Sequence, residues 1–236
     1  MSDPKDAARR AAAAAAVERL APGMTIGLGS GRAVWKVIEA IRRRWPDEVP
    51  LRAVVASSRT AQVAAEASIE LVDIDQAGPL ELAIDGADEV DPHLGLIKGG
   101  GGALLREKLV AAAARRFLVV AETDKLVTRL GETRRLPVEV VHFGWRSTRA
   151  RLLDDSVSEA EPRTNENGGC FITDEGHVIL DCAVPGEGDL AEFALRLKAH
   201  TGVVEHGLFL GMADEALLGG VDGSLEEIRA RGARNG

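Results

Sequence analysis

"MTIGLGSGRAVWKVIEAIRRRW", residues 24–45, passes from a short apolar segment through a glycine loop into a longer amphipathic stretch. Met24 to Gly29 reads as a buried strand and "AVWKVIEAIRRRW" as a helix. The alternation continues downstream. "LRAVVAS" (51–57) is a second strand, "TAQVAAEASI" a helix, and "ELVDI" and "LELAID" further strands. "ALLREKLVAAAARR" is a helix and "FLVVAE" (117–122) another strand. Continuous apolar strands separated by amphipathic helices predict an α/β protein with a mainly parallel sheet covered on both faces.

After "RLPVEVV" the texture changes. A helix ("STRARLLDD"), a hairpin ("CFITDEGHVILDCAV") and a helix ("LAEFALRLKAH") describe a smaller α+β unit with an antiparallel sheet. "GLFLGMADEALLGG" and "GSLEEIRARG" then return to strand, turn and helix character. The expected organisation is a larger domain over 1–130 and 207–236, interrupted by an insert over 131–206.

Composition narrows the function. The net charge of −8 argues against a general nucleic-acid binder, and an anionic ligand would need locally gathered Lys, Arg or backbone N–H donors. The N-terminal "MSDPKDAARRAAAAAAVERLAPG" is too weakly apolar for a signal peptide and reads as an alanine-rich helix. No stretch approaches a membrane span, so a cytoplasmic protein is expected. Cys170 and Cys182, with His177 between them, match no zinc pattern and read as reduced thiols.

In an open parallel sheet, ligands bind beyond the carboxyl ends of the strands. Here those ends are the loop Gly27–Gly31, Ser57 and Ser58, Asp85, and the pair Asp124 and Lys125. "GLGSGR" (27–32) lacks the dinucleotide spacing, and no acid ends the next strand, so a monophosphate site or a purely structural turn remains. "KGGGG" (98–102) is not a Walker loop, whose lysine follows its glycines. Four glycines leading straight into a helix cost chain entropy and would let a ligand approach the backbone. "DGADEVD" (85–91) misses the calcium-loop pattern, and Asp85 suits hydrogen bonding to sugar hydroxyls. Glu107, early in the following helix, is either an ordinary N-terminal glutamate or a catalytic carboxylate facing the cradle. The five scattered histidines and the absence of a nucleophile motif favour proton transfer by carboxylates, with no metal and no cofactor.

In order, "GLGSG", "DGADEVD", "KGGGGALLREK", "AETDKLV", "LPVEVV", "GHVILD" and "GVVEHGLF" resemble the type A ribose-5-phosphate isomerases over nearly the whole chain. The resemblance implies a Rossmann-like domain with a ferredoxin-like insert, in dimers or tetramers. It implies metal-free interconversion of ribose 5-phosphate and ribulose 5-phosphate in the non-oxidative pentose phosphate pathway. Glu107 would be the base, Lys98 would stabilise the oxyanion, and Asp85 would assist ring opening or proton transfer among the sugar oxygens. Asp88, Lys125, Ser30, Gly31, Gly99, Gly100 and Gly101 would hold substrate.

The chain departs from the family at the phosphate loop, where Arg32 and Ala33 replace two hydroxyl residues. Either Arg32 compensates with a charge-assisted contact, or affinity rests on backbone N–H groups with Arg9, which matches a family lysine. The rival reading is a sugar-phosphate-sensing module, which would have no need of Glu107.

Overall fold

The computed structural model describes residues 5–230. Residues 1–4 and 231–236, the outermost parts of the larger domain expected from sequence, lie outside the described residues. The chain runs α1 (Asp6–Val17), β1 (Thr25–Leu28), α2 (Arg32–Arg44), β2 (Arg52–Val55), α3 (Ser58–Glu66), β3 (Glu70–Leu71) and β4 (Leu82–Asp85). It continues through β5 (Glu89–Val90), β6 (Leu96–Ile97), α4 (Leu104–Ala112) and β7 (Phe117–Glu122). Then come β8 (Leu136–Val140), α5 (Trp145–Asp155), β9 (Ala160–Pro162), β10 (Val178–Cys182), α6 (Leu190–Ala199) and β11 (Val203–His206). The last elements are β12 (Leu208–Phe209), β13 (Glu215–Gly219) and β14 (Leu225–Arg229).

The main sheet has the order β14-β13-β7-β4-β1-β2-β3, parallel throughout except for the β13–β14 edge. From β1 the chain builds outward to β2 and β3, and from β4 in the opposite direction. A crevice therefore opens between the ends of β1 and β4, where a ligand is expected.

The apolar strands are explained by burial on both faces. Leu118 and Val120 of β7 join Ile26, Leu28, Leu82 and Ile84 in the core under α1 and α2. The intervening Phe117, Val119 and Ala121 join Ala83, Val110 and Ala111 in the core under α4. Ala8, Ala12, Ala13 and Ala16 of α1 are fully buried. Their small side chains let this helix lie close on the sheet: a Cβ on Gly219 would sit 1.9 Å from the Ala8 carbonyl oxygen.

The second sheet has the order β11-β8-β10-β9, all antiparallel, and α5 and α6 complete a β-α-β-β-α-β unit. Numbered within the unit, the strands run 4-1-3-2, the ferredoxin-like arrangement. A small third sheet, β12-β6-β5, joins the exit of this unit to the strand that leads into Lys98.

Two local expectations are corrected. "GSLEEIRARG" forms no helix where it is described: β14 pairs antiparallel with β13 across a turn in which Gly223 has φ +85°. Pairing with a sheet edge and burial of Ile228 against the core override the helical propensity of Leu225–Arg229. The hairpin over 170–184 forms only its second strand, β10, while its first half makes single bridges, Ile172 to Val178 of β10 and Cys170 to Thr164. Cys170 and Cys182 are free.

Candidate active site

The sheet geometry places four segments at the crevice: the loop after β1, the end of β4, the loop after β6, and the first turn of α4. Asp85, the last residue of β4, is buried at 3% exposure, because β4 lies between β1 and β7. Its Oδ1 accepts from the Ser30 N–H at 3.0 Å and the Gly86 N–H at 2.7 Å. Only a glycine fits beside it, since a Cβ on Gly29 would lie 1.7 Å from Asp85 Cγ.

Lys98, delivered by β6, is 2% exposed. Its Nζ lies 2.8 Å from Asp85 Oδ2 and 3.3 Å from Glu107 Oε2, and donates to the Gly86 carbonyl at 2.6 Å. Glu107 is 5% exposed, and its Oε1 accepts from Ser30 Oγ at 2.5 Å. Its Oε2 accepts no hydrogen bond among the described residues.

Burial pushes the Asp85 carboxyl up, to about 7, and the Glu107 charge adds to this against the pull of Lys98. Burial alone would lower the Lys98 pKa, but the Asp85 and Glu107 carboxylates outweigh it and raise it. The trio thus holds a firmly charged ammonium beside a carboxyl that exchanges its proton near neutrality, a pairing suited to acid–base work.

A cavity of about 320 Å³ opens over the trio. It is lined by Arg9, Ser30, Gly31, Arg32, Asp88, Lys98, Gly99, Gly100, Gly101, Glu107 and Lys125, eleven of the twelve site residues expected from sequence. Asp85 stands behind this wall and reaches the cavity through Lys98.

At one end, Gly31 caps the thirteen-residue α2 with φ +87°, and no acid occupies the first turn. The first N–H groups of a helix have no intrahelical acceptors, so this end attracts an anion. At the other end, Asp88 Oδ2 accepts from the Gly100 N–H at 2.7 Å. Gly99, with φ +99°, approaches Leu104 so closely that a Cβ would sit 2.7 Å from it.

Several residues stand where sequence reasoning did not put them. Glu122, the last residue of β7, lines the cavity and accepts from Arg9 Nε at 2.8 Å; Arg9 is itself 4% exposed. The strand-end rule pointed instead to the next acid, Asp124, which pairs with Lys5. Trp35 also lines the cavity. Ser57 caps α3 through the Thr60 N–H, and Ser58 donates to Asp174.

Two of the acids in "DGADEVD" serve the scaffold. Glu89 accepts from the N–H groups of Gly131, Thr133 and Arg134, and Asp91 from those of His93 and Gly95. Lys108, next to Glu107, ties α4 down by donating to Glu205 Oε1 at 2.8 Å and to the His206 and Leu208 carbonyls at 2.6 and 3.0 Å. Among the described residues, no group of three or more His, Cys, Asp or Glu side chains is placed to hold a metal ion. No helix among them is long and apolar enough to cross a membrane.

The profile of the family described as ribose 5-phosphate isomerase A (phosphoriboisomerase A) matches residues 52–223. A ribose-5-phosphate isomerase A from Chloroflexus aurantiacus is 45% identical over 90% of this chain and 89% of its own length. One from Roseiflexus sp. is 46% identical over 96% of this chain and 97% of its own. The solved structure of ribose 5-phosphate isomerase A from Methanocaldococcus jannaschii superposes with a TM-score of 0.88 at 32% identity, covering 96% of this chain and 100% of that one. With the motifs, the fold and the relatives in agreement, the chain belongs to the ribose 5-phosphate isomerase A family.

Proposed function

We propose that this protein interconverts ribose 5-phosphate and ribulose 5-phosphate through an enediolate, with Glu107, Lys98 and Asp85 carrying the proton transfers. The observation that supports this most strongly is the buried Lys98 ammonium, 2.8 Å from Asp85 and 3.3 Å from Glu107 beneath one cavity. Glu107 takes the C2 proton of the open-chain aldose, and the electron pair moves through C1 onto the carbonyl oxygen O1. Lys98 stabilises that oxygen as charge develops, an effect of roughly 3–4 kcal/mol on the barrier for a single well-placed partner. Asp85, with its carboxyl near 7, accepts the O2 proton and returns one to O1, while Glu107 delivers its proton to C1. Ring opening of the furanose requires the same kind of exchange between oxygens.

Asp88 and the N–H groups of Gly99 and Gly101 receive the sugar hydroxyls, with Gly100 at the cavity wall between them. The phosphate lies at the α2 N-terminus against Ser30, Gly31 and Arg32, with Arg9 and Lys125 adding positive charge. Binding there orients carbons several bonds away. The ferredoxin-like arrangement of β8 to β11 supports an insert over 131–206. Exposed apolar side chains such as Phe143 and Leu195 suit a homodimer or homotetramer, and the reading places the enzyme in the cytoplasm within the non-oxidative pentose phosphate pathway.

The test is ribulose 5-phosphate formation with EDTA present, for the parent and Glu107→Gln. The parent should turn over, and the variant should lose roughly 10²–10⁴-fold in kcat with its melting temperature retained. A parent that binds the sugar phosphate without converting it would make the protein a sensor.

A further inference from the structure

The glycine cradle is held from outside its own domain. Arg163, just after β9, braces its guanidinium on Asp181 of β10: Nε donates to Oδ2 at 3.0 Å and Nη2 to Oδ1 at 2.5 Å. Such a two-point pair sets the plane of the guanidinium fork, and with it the direction of the remaining nitrogen. That nitrogen, Nη1, donates to the Gly99 carbonyl at 2.7 Å and the Gly100 carbonyl at 3.1 Å.

The peptide joining Gly99 to Gly100 is therefore gripped at both ends, its carbonyl by Arg163 and its N–H by Asp88. In a trans peptide the carbonyl and the following N–H point in opposite directions. With the Gly100 carbonyl turned to Arg163, the Gly101 N–H faces away from it. That N–H meets no acceptor among the described residues, and Gly101 lines the main cavity. Leu104 and Phe171 pack the ends of the loop, but behind Gly100 the packing is open. A second cavity of about 290 Å³, lined by Arg134, Arg135, Pro137, Arg163 and Asp181, shares Asp88 and Gly100 with the first. Without Arg163 the cradle has room to relax into it.

We propose that Arg163, braced by Asp181, is a positioning residue that holds the Gly99–Gly101 backbone in the orientation presenting Lys98 and the Gly101 N–H to the reacting end of the substrate. The inference rests on the isomerase reading above. It gives the insert a part in turnover, although none of its described residues lines the main cavity.

The experiment measures kcat and KM for ribulose 5-phosphate formation by the parent, Glu107→Gln, Arg163→Ala, Arg163→Lys and Asp181→Asn, each with a melting curve. Arg163→Ala should lose roughly 10- to 100-fold in kcat with little change in KM, the size expected for a small misplacement of catalytic groups. Added guanidinium should restore part of that loss, and Arg163→Lys should fall between the two. A kcat within about two-fold of the parent in Arg163→Ala would overturn the inference while Glu107→Gln still collapses. A loss that follows the melting temperature and ignores guanidinium would overturn it too. If Arg163→Ala does not fold, Asp181→Asn decides: reduced kcat supports the brace and unchanged kcat rejects it. A parent without turnover overturns both this inference and the isomerase reading.

Discussion

Two glycine loops line the same cavity, and they are held by different means. The loop Gly29–Gly31 sits between β1 and α2 with Asp85 as a strut behind it. Its partners, the Ile84 carbonyl and the Asp85 carboxylate, belong to the neighbouring strand of the same sheet. The loop Gly99–Gly102 is held by side chains that converge from elsewhere: Asp88, Leu104, Arg163 and Phe171, whose ring would lie 2.5 Å from a Cβ on Gly102. The first loop is a product of strand order and would exist in any sheet wound this way. The second depends on packing between the domain and its insert.

Gly29→Ala and Gly101→Ala test this contrast most severely. A methyl at Gly29 meets Asp85 Cγ at 1.7 Å, so the carboxylate must leave both of its N–H donors. Overpacking and orphaned buried donors together should cost at least about 3 kcal/mol and most of the activity. A methyl at Gly101 has only Ser30 Oγ nearby, at 3.9 Å, in a backbone conformation that alanine accepts. That variant should melt at or slightly above the parent, since alanine restricts the unfolded chain, and should show its defect as a raised KM. Equal melting temperatures for the two variants would erase the distinction between the loops.

Legibility in the sequence follows the same division. The sheet, its doubly covered strands and the β1 loop could be read because each is encoded by neighbours in the chain: apolar runs, helical periodicity and glycine spacing. Asp85 and Glu107 were within reach because one ends a strand and the other opens a helix. Glu122 falls under the same strand-end rule, but it closes an apolar run as that strand's last residue, so the rule points past it to Asp124, two residues on. Arg163 and Asp181 carry no local signal, since their meaning lies in carbonyls more than sixty residues away. The scaffold role of Glu89 carries no local signal either, because the backbone N–H groups from which it accepts lie more than forty residues on. The edge strand β14 was hidden because its partner, β13, supplies what the local propensity opposes.

Arg32 sharpens the reading of the first loop. If the α2 N–H groups with Ser30 and Arg9 supply the phosphate affinity, Arg32→Ala leaves KM unchanged. If Arg32 replaces the hydroxyls this chain lacks, KM should rise roughly three- to ten-fold with kcat preserved, the loss of one charge-assisted contact at a solvent-exposed position. Steady-state kinetics with ribose 5-phosphate separates the two, and the salt dependence of KM should weaken in the variant if the contact is electrostatic.

The smallest effect expected concerns a side chain that serves both loops. Asp85 supports the Gly29–Gly31 loop through the Ser30 N–H and faces the Lys98 ammonium that opens the second loop. Its carboxyl is raised from 3.8 to about 7, burial contributing most and Glu107 next. A carboxyl raised on folding favours the folded state while it is protonated in both states. That contribution is fully present below the unfolded value and is lost as pH rises through about 7. Asp85→Asn cannot titrate, so the melting temperature of the parent relative to this variant should fall by a few degrees from acid to neutral pH. Melting curves across that window, read as a difference, remove the contribution of groups common to both proteins. A constant difference would mean that Asp85 stays ionised throughout, which would remove it as the group proposed to shuttle protons between the sugar oxygens and leave it only as the strut behind the first loop.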